Sequence, residues 1–142
     1  MRQKIFAILL VSILLSGCLG QDDNDIEFNG IEYRDPPDAP DFTLIDQNGQ
    51  DFTLSDLEGK VVVVAFVYTS CPDICLAISA NMAYAQDSLG EESDDVVFVS
   101  VTIDPARDTV EHLSDWTESR GYNWTHLTAE RPSTLMEVYS SW

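Results

Sequence analysis

Val61-Val62-Val63-Val64-Ala65-Phe66-Val67-Tyr68 runs directly into Thr69-Ser70-Cys71-Pro72-Asp73-Ile74-Cys75. A continuous apolar, β-branched run of this length reads as a strand buried on both faces, typical of a sheet covered by helices. The cysteine pair therefore falls at the carboxyl end of a central strand and at the mouth of a helix. Pro72 suits the first helical position, where its missing N–H costs nothing. The free N–H groups and positive dipole end of that helix stabilise a thiolate on Cys71 and lower its pKa.

Working outward, Leu76 to Leu89 has a helical apolar face in Ile78, Met82 and Leu89, and Gly90 stops it. Val96 to Ile103 is a second buried strand. Val110 to Arg120 reads as a helix with Leu113 and Trp116 on one side and Gly121 as its cap. Trp124 to Leu127 is a short strand. Thr134-Leu135-Met136-Glu137 has the pattern of a capping box and opens a last helix carrying Val138, Tyr139 and Trp142. On the amino-terminal side, residues 41–46 and 51–54 are strand-like and flank Gln47-Asn48-Gly49-Gln50, a hairpin-turn signal. Residues 55–60 read as a short helical turn closed by Gly59. Hairpin, strand, helix, strand, helix, strand, helix implies an α/β domain with a mostly parallel sheet.

Two chemistries are open to the thiols. On a helix, residues four apart have Cβ atoms roughly 5–6 Å from each other. A relaxed disulfide brings them to about 3.8 Å. The pair thus chelates one soft ion, or closes a somewhat strained, reducible disulfide by adjusting the first turn. Two thiolates select Cu(I) over hard cations. Zinc prefers four ligands, and there is no second cysteine pair. A purely structural disulfide here closes a very small loop and removes little unfolded-state entropy.

The stretch from Phe66 to Cys75 resembles the copper-binding segment of the Sco/SenC family, and Val99-Ser100-Val101-Thr102-Ile103-Asp104-Pro105-Ala106-Arg107-Asp108-Thr109 resembles that family's second signature. The resemblance runs from about Pro40 to the chain end; Leu76 stands where the family usually has proline. It implies a thioredoxin-like fold with an amino-terminal β-hairpin and copper bound, as Cu(I) or Cu(II), through Cys71 and Cys75. The implied role is in building the copper centre of cytochrome c oxidase, with the copper-bearing subunit or another copper or redox protein as partner. By the same resemblance the pair acts instead as a thiol–disulfide reductant. Thr69-Ser70-Cys71 also has a likeness to the peroxidatic segment of peroxiredoxins, but the close second cysteine and the Asp-Pro motif speak against that reading. A non-catalytic surface lipoprotein with merely structural cysteines is the remaining alternative.

Asp104 and Arg107 follow the second buried strand at its carboxyl end, on the same rim as the cysteines. They are placed as groups that orient the ligands or dock a partner, against a plain loop held by an Asp–Arg pair and a Thr109 helix cap. The family's third copper ligand is a histidine beyond the last helix, and the chain stops at Trp142 before that point. Neither His112 nor His126 stands at the family position, so neither is assigned the role. A further hairpin and covering helix are likewise expected after Trp142, and the domain over residues 41–142 is read as truncated, with a sheet edge and apolar surface uncovered.

The amino terminus reads as an address. Arg2 and Lys4 precede an apolar run from Ile5 to Leu15, too short for the roughly 20 residues that span a bilayer and suited to a signal peptide. Leu15-Ser16-Gly17-Cys18 resembles a lipobox, which implies removal of residues 1–17 and lipidation of Cys18. Two acyl chains make a stable anchor. Residues 18–40, acidic and then proline-rich, read as a solvated tether that holds the domain on the extracytoplasmic face of the membrane. With 7 basic against 25 acidic residues the formal net charge is −18. A surface so negative argues against nucleic acid as a partner and suits solubility, attraction of cations or life in high salt.

Overall fold

The computed structural model describes residues 30–142. The expected signal peptide (residues 1–17), Cys18 and residues 19–29 of the expected tether lie outside the described residues. Residues 30–37 carry no regular secondary structure and are exposed, Ile31 and Tyr33 included.

From Asp38 onward the chain forms a compact α/β unit. The hairpin consists of β1 (Thr43–Asp46) and β2 (Asp51–Thr53), antiparallel with Leu44 opposite Phe52. Its turn is closed by Gly49 N–H donating to Asp46 O at 3.0 Å, and the Asp46 carboxylate accepts the amides of Asn48 and Gln50. Gly49 has φ +75°, whereas Asn48 keeps a negative φ. The glycine alone thus takes the left-handed position of a three-residue hairpin loop.

A 3-10 turn, Leu54–Leu57, leads to β3 (Val61–Val67), which pairs in parallel with β4 (Val96–Thr102) along its whole length. β4 pairs in parallel with β5 (Thr125–Thr128), and β5 pairs antiparallel with β1. The sheet order is β2-β1-β5-β4-β3. Helices α1 (Ile74–Ser88), α2 (Val110–Arg120) and α3 (Pro132–Ser141) complete the unit.

The alternation of side chains along a strand divides the core in two. Val62, Val64 and Phe66 of β3, Val99 and Val101 of β4 and Leu127 of β5 pack with Phe42, Leu44 and with Leu135 and Val138 of α3. On the opposite face Val63, Ala65 and Phe98 pack with Ile78 and Met82 of α1 and with Trp124. Helix α2 ends as expected: Gly121, at φ +66°, donates its N–H to Glu118 and Thr117 carbonyls, and Thr109 Oγ1 accepts the His112 amide.

Two local expectations are corrected. Thr134 does not cap α3; it is the third helical residue, because Pro132 takes the first position and Arg131 the cap. A proline there loses no hydrogen bond and presets φ, so it fixes the start of the helix three residues earlier than a Thr134 cap would. Pro72, by contrast, does not open α1. Asp73 is the cap residue and Ile74 the first helical one. Among the described residues β3 is an edge strand; Val61 is 61 % exposed, and an open apolar groove runs along it between Val63, Ile78, Met82 and Phe98.

Candidate functional site

β3 ends at Val67, and the chain turns at once: Cys71 N–H donates to Tyr68 O at 3.2 Å, with Thr69 and Ser70 as the central residues of the turn. That turn places Cys71 ahead of α1 rather than in it, while Cys75 is the second residue of the helix. Asp73 offers no side-chain cap. The Cys71 sulphur takes that place, accepting the Cys75 amide at 3.4 Å. One of the orphan N–H groups of the helix start is thereby satisfied by a thiol.

Both cysteines are free thiols, 7 % exposed, just beneath the surface among Val67, Ala65, Tyr68 and Ile78. Their electrostatics differ. The Cys75 thiol, the amides of Asp73 and Cys75 and the Tyr68 hydroxyl all direct hydrogen at the Cys71 sulphur and hold its pKa below the usual thiol value. Burial pushes Cys75 up, and its donation to Cys71 adds to that. Tyr68 is raised because its hydroxyl donates to Cys71. The thiolate therefore forms first on Cys71, with Cys75 as its proton-bearing neighbour.

The end of β4 lies beside this turn, with Ile103 N–H donating to Val67 O at 2.9 Å. The residues that follow share the rim of the cysteines, and Arg107 is close enough for its charge to act on Tyr68. Asp104 and Arg107 pair chiefly with each other, and the Arg107 side chain is 66 % exposed. The inward-facing member of the motif is Asp108, 0 % exposed. Its carboxylate accepts the Thr69 amide at 3.0 Å, the Thr69 hydroxyl and the Thr102 hydroxyl. The Thr69 hydroxyl also meets His112 Nε2 at 2.9 Å.

Sequence reasoning quoted Asp108 within its motif without giving it a part, and it overlooked Thr69 and Tyr68. Nothing in the one-dimensional pattern tells which of two carboxylates four residues apart turns inward. Tyr68 had a weak signal, as the last ring of the strand before the thiols. His126 sits behind the site, buried at 1 % exposure among Trp116, Tyr122 and Trp124, and burial pushes its pKa down to about 4. Its position in β5 agrees with a packing residue. Among the described residues no group of three or more His, Cys, Asp or Glu side chains converges so as to hold a metal ion.

The family model described as SCO1/SenC matches residues 33–142. The SCO1 protein homolog of Bacillus subtilis is 30% identical over 131 residues, covering 90% of this chain and 64% of that protein. The structure of Bradyrhizobium japonicum ScoI with copper bound superimposes with a TM-score of 0.67 at 29% identity, covering 72% of this chain and 65% of that one. The structure of BsSco, described as a member of the Sco family of cytochrome c oxidase assembly proteins with a disulfide switch, gives 0.62 at 29% identity, covering 72% and 62%. The chain spans between about a third and two thirds of the length of the curated relatives it matches. The five-stranded α/β architecture is thioredoxin-like, as the resemblance implied.

Proposed function

This chain belongs to the SCO1/SenC family, and from that premise we propose that it is a metallochaperone that carries copper on Cys71 and Cys75 for assembly of the copper centre of cytochrome c oxidase. The observation that carries the reading is the thiol pair at the amino terminus of α1, with a low-pKa sulphur at Cys71. The donor set fits the cargo: two soft sulphurs suit Cu(I), which tolerates low coordination numbers, better than any hard cation. Displacement of the Cys75 proton completes the dithiolate. The partner is the copper-bearing subunit of the oxidase or another copper or redox protein. The copper-bound ScoI of Bradyrhizobium japonicum and the assembly role printed for BsSco support both parts of the reading.

Anaerobic titration with Cu(I) against a competing chelator tests it. The intact chain takes up one equivalent, and Cys71→Ser and Cys75→Ser each lose it. Unchanged affinity in Cys71→Ser overturns the reading.

A second reading, a thiol–disulfide oxidoreductase, is favoured by the opposite pKa shifts of the two cysteines. The Cys71 thiolate attacks a partner disulfide, forming a mixed disulfide and releasing one partner thiolate. Cys75, once deprotonated, attacks the Cys71 sulphur, closing the Cys71–Cys75 bond and releasing the second partner thiol. Two electrons pass from the pair to the partner. Turnover of a partner disulfide by copper-free protein distinguishes the two.

The site is held on the extracytoplasmic face of the membrane by lipid on Cys18, with residues 18–40 as the tether. Metabolic labelling with a fatty-acid analogue tests this: label that persists in Cys18→Ser excludes Cys18 as the anchor.

A further inference from the structure

We infer that Asp108 is a positioning residue for the Cys71–Cys75 pair, acting through Thr69. The inference rests on the proposal that this pair is the functional site.

The Asp108 side chain is fully buried, yet it forms no ion pair; among the described residues the sole ion pair joins Arg107 to Asp104. A buried carboxyl group is costly unless hydrogen bonds replace its water. Here they come from neutral donors on two separate elements. Thr69, amide and hydroxyl, belongs to the turn that carries Cys71, and Thr102 ends β4. Asp108 itself is anchored by its own amide, which donates to Asp104 O at 2.9 Å. One carboxylate therefore clamps the cysteine turn to the end of the central sheet. For packing alone, an apolar side chain would serve at lower cost.

The polarity of the network follows from the acceptor. The Thr69 hydroxyl donates its single proton to Asp108 Oδ1. Its contact with His112 Nε2 at 2.9 Å is then one in which the imidazole donates. The chain runs in one direction, from His112 on the surface through Thr69 to the buried carboxylate. Thr69 is held by backbone and side chain together, and the Tyr68–Cys71 turn is closed around it. The position of the Cys71 sulphur relative to the Cys75 amide is set by that clamp.

The test compares Asp108→Ala, Asp108→Asn and Thr69→Val with Val138→Ala, a core change on the opposite face of the sheet. Two quantities are read on the intact chain: the dithiol–disulfide equilibrium of Cys71 and Cys75 against glutathione, and Cu(I) affinity. Loss of a group that orients a ligand costs roughly 10–100-fold in metal affinity, and Asp108→Ala is expected to shift both readouts by roughly tenfold or more. Asp108→Asn, which keeps one oxygen acceptor, falls between it and the parent. Val138→Ala loses stability and shifts neither. If Asp108→Ala does not fold, Thr69→Val, which keeps the backbone N–H hydrogen bond to Asp108, decides the matter by a shift in the same direction. Readouts within about twofold of the parent, or an equal shift in Val138→Ala, overturn the inference. Failure of the parent chain to take up Cu(I) overturns the copper reading instead, and the glutathione equilibrium still decides Asp108.

Discussion

The amide of Cys75 donates to the sulphur of Cys71 across 3.4 Å, so the first thiol caps the helix that carries the second. The two cysteines are thus unequal before any ligand arrives. Both sulphurs lie in the apolar cluster with Val67 and Ile78, but hydrogen-bond donors dominate at Cys71 and burial dominates at Cys75.

Alkylation should therefore be ordered. The thiolate is the reactive form. Cys71, shifted down, reacts first as pH rises, and Cys75, shifted up, reacts later. Peptide mapping after brief treatment with iodoacetamide at neutral pH is expected to find label on Cys71. Tyr68→Phe removes one donor to that sulphur and slows its labelling. Equal labelling of both cysteines contradicts the assignment.

His126 makes stability depend on pH. Its folded pKa of about 4 lies below the ordinary histidine value of 6.5, so between these values the unfolded state binds more protons than the folded one. Its neutral, buried form is tolerated fully above pH 6.5, and stability falls as pH drops from 6.5 toward 4. Each pKa unit is 1.36 kcal/mol, so the loss approaches about 3 kcal/mol. Urea unfolding across this range, repeated with His126→Phe, reads the effect; a variant with the same slope removes His126 as the cause.

Leu127 in β5 is 0 % exposed, packed between the hairpin and α3. Leu127→Ala leaves a cavity that the surrounding strands cannot close, and the expected loss is about 2–5 kcal/mol. The denaturation midpoint should fall at unchanged slope. A loss below about 1 kcal/mol would show that the site relaxes around the smaller side chain.

Arg107→Ala is expected to change stability by less than about 1 kcal/mol, because the Arg107–Asp104 pair is solvent-exposed on the arginine side. A larger loss, measured by the same unfolding experiment, would mean that Arg107 supports the cysteine rim through its charge near Tyr68.

Much of this was legible along the chain. Valine runs at 61–64 and 96–97 marked the two parallel strands, but the two-sided burial they imply holds for β4 and not for β3, an edge strand among the described residues with Val61 61 % exposed. Gly121 marked the end of α2 because no other residue takes a left-handed cap so cheaply. The capping-box pattern at Thr134 misled, since Ser/Thr-x-x-Glu spacing is local and says nothing against a proline start two residues earlier. Pro72 misled in the opposite way. The turn from β3, closed by Cys71 N–H on Tyr68 O, is completed first, and the helix begins only at Ile74.

The cysteine spacing, the strand before it and the motif after the second strand determine by themselves a thiol pair at the carboxyl edge of an α/β sheet, a candidate for soft-metal or redox chemistry. These are one-dimensional facts, because strand period, helix period and thiol chemistry are properties of short segments. The choice of Asp108 over Asp104 as the inward carboxylate, and of Cys71 over Cys75 as the low-pKa sulphur, belongs to the tertiary structure alone. Both depend on burial and on donors such as Thr102 and Tyr68, and desolvation and hydrogen bonding are set by what surrounds a group in space.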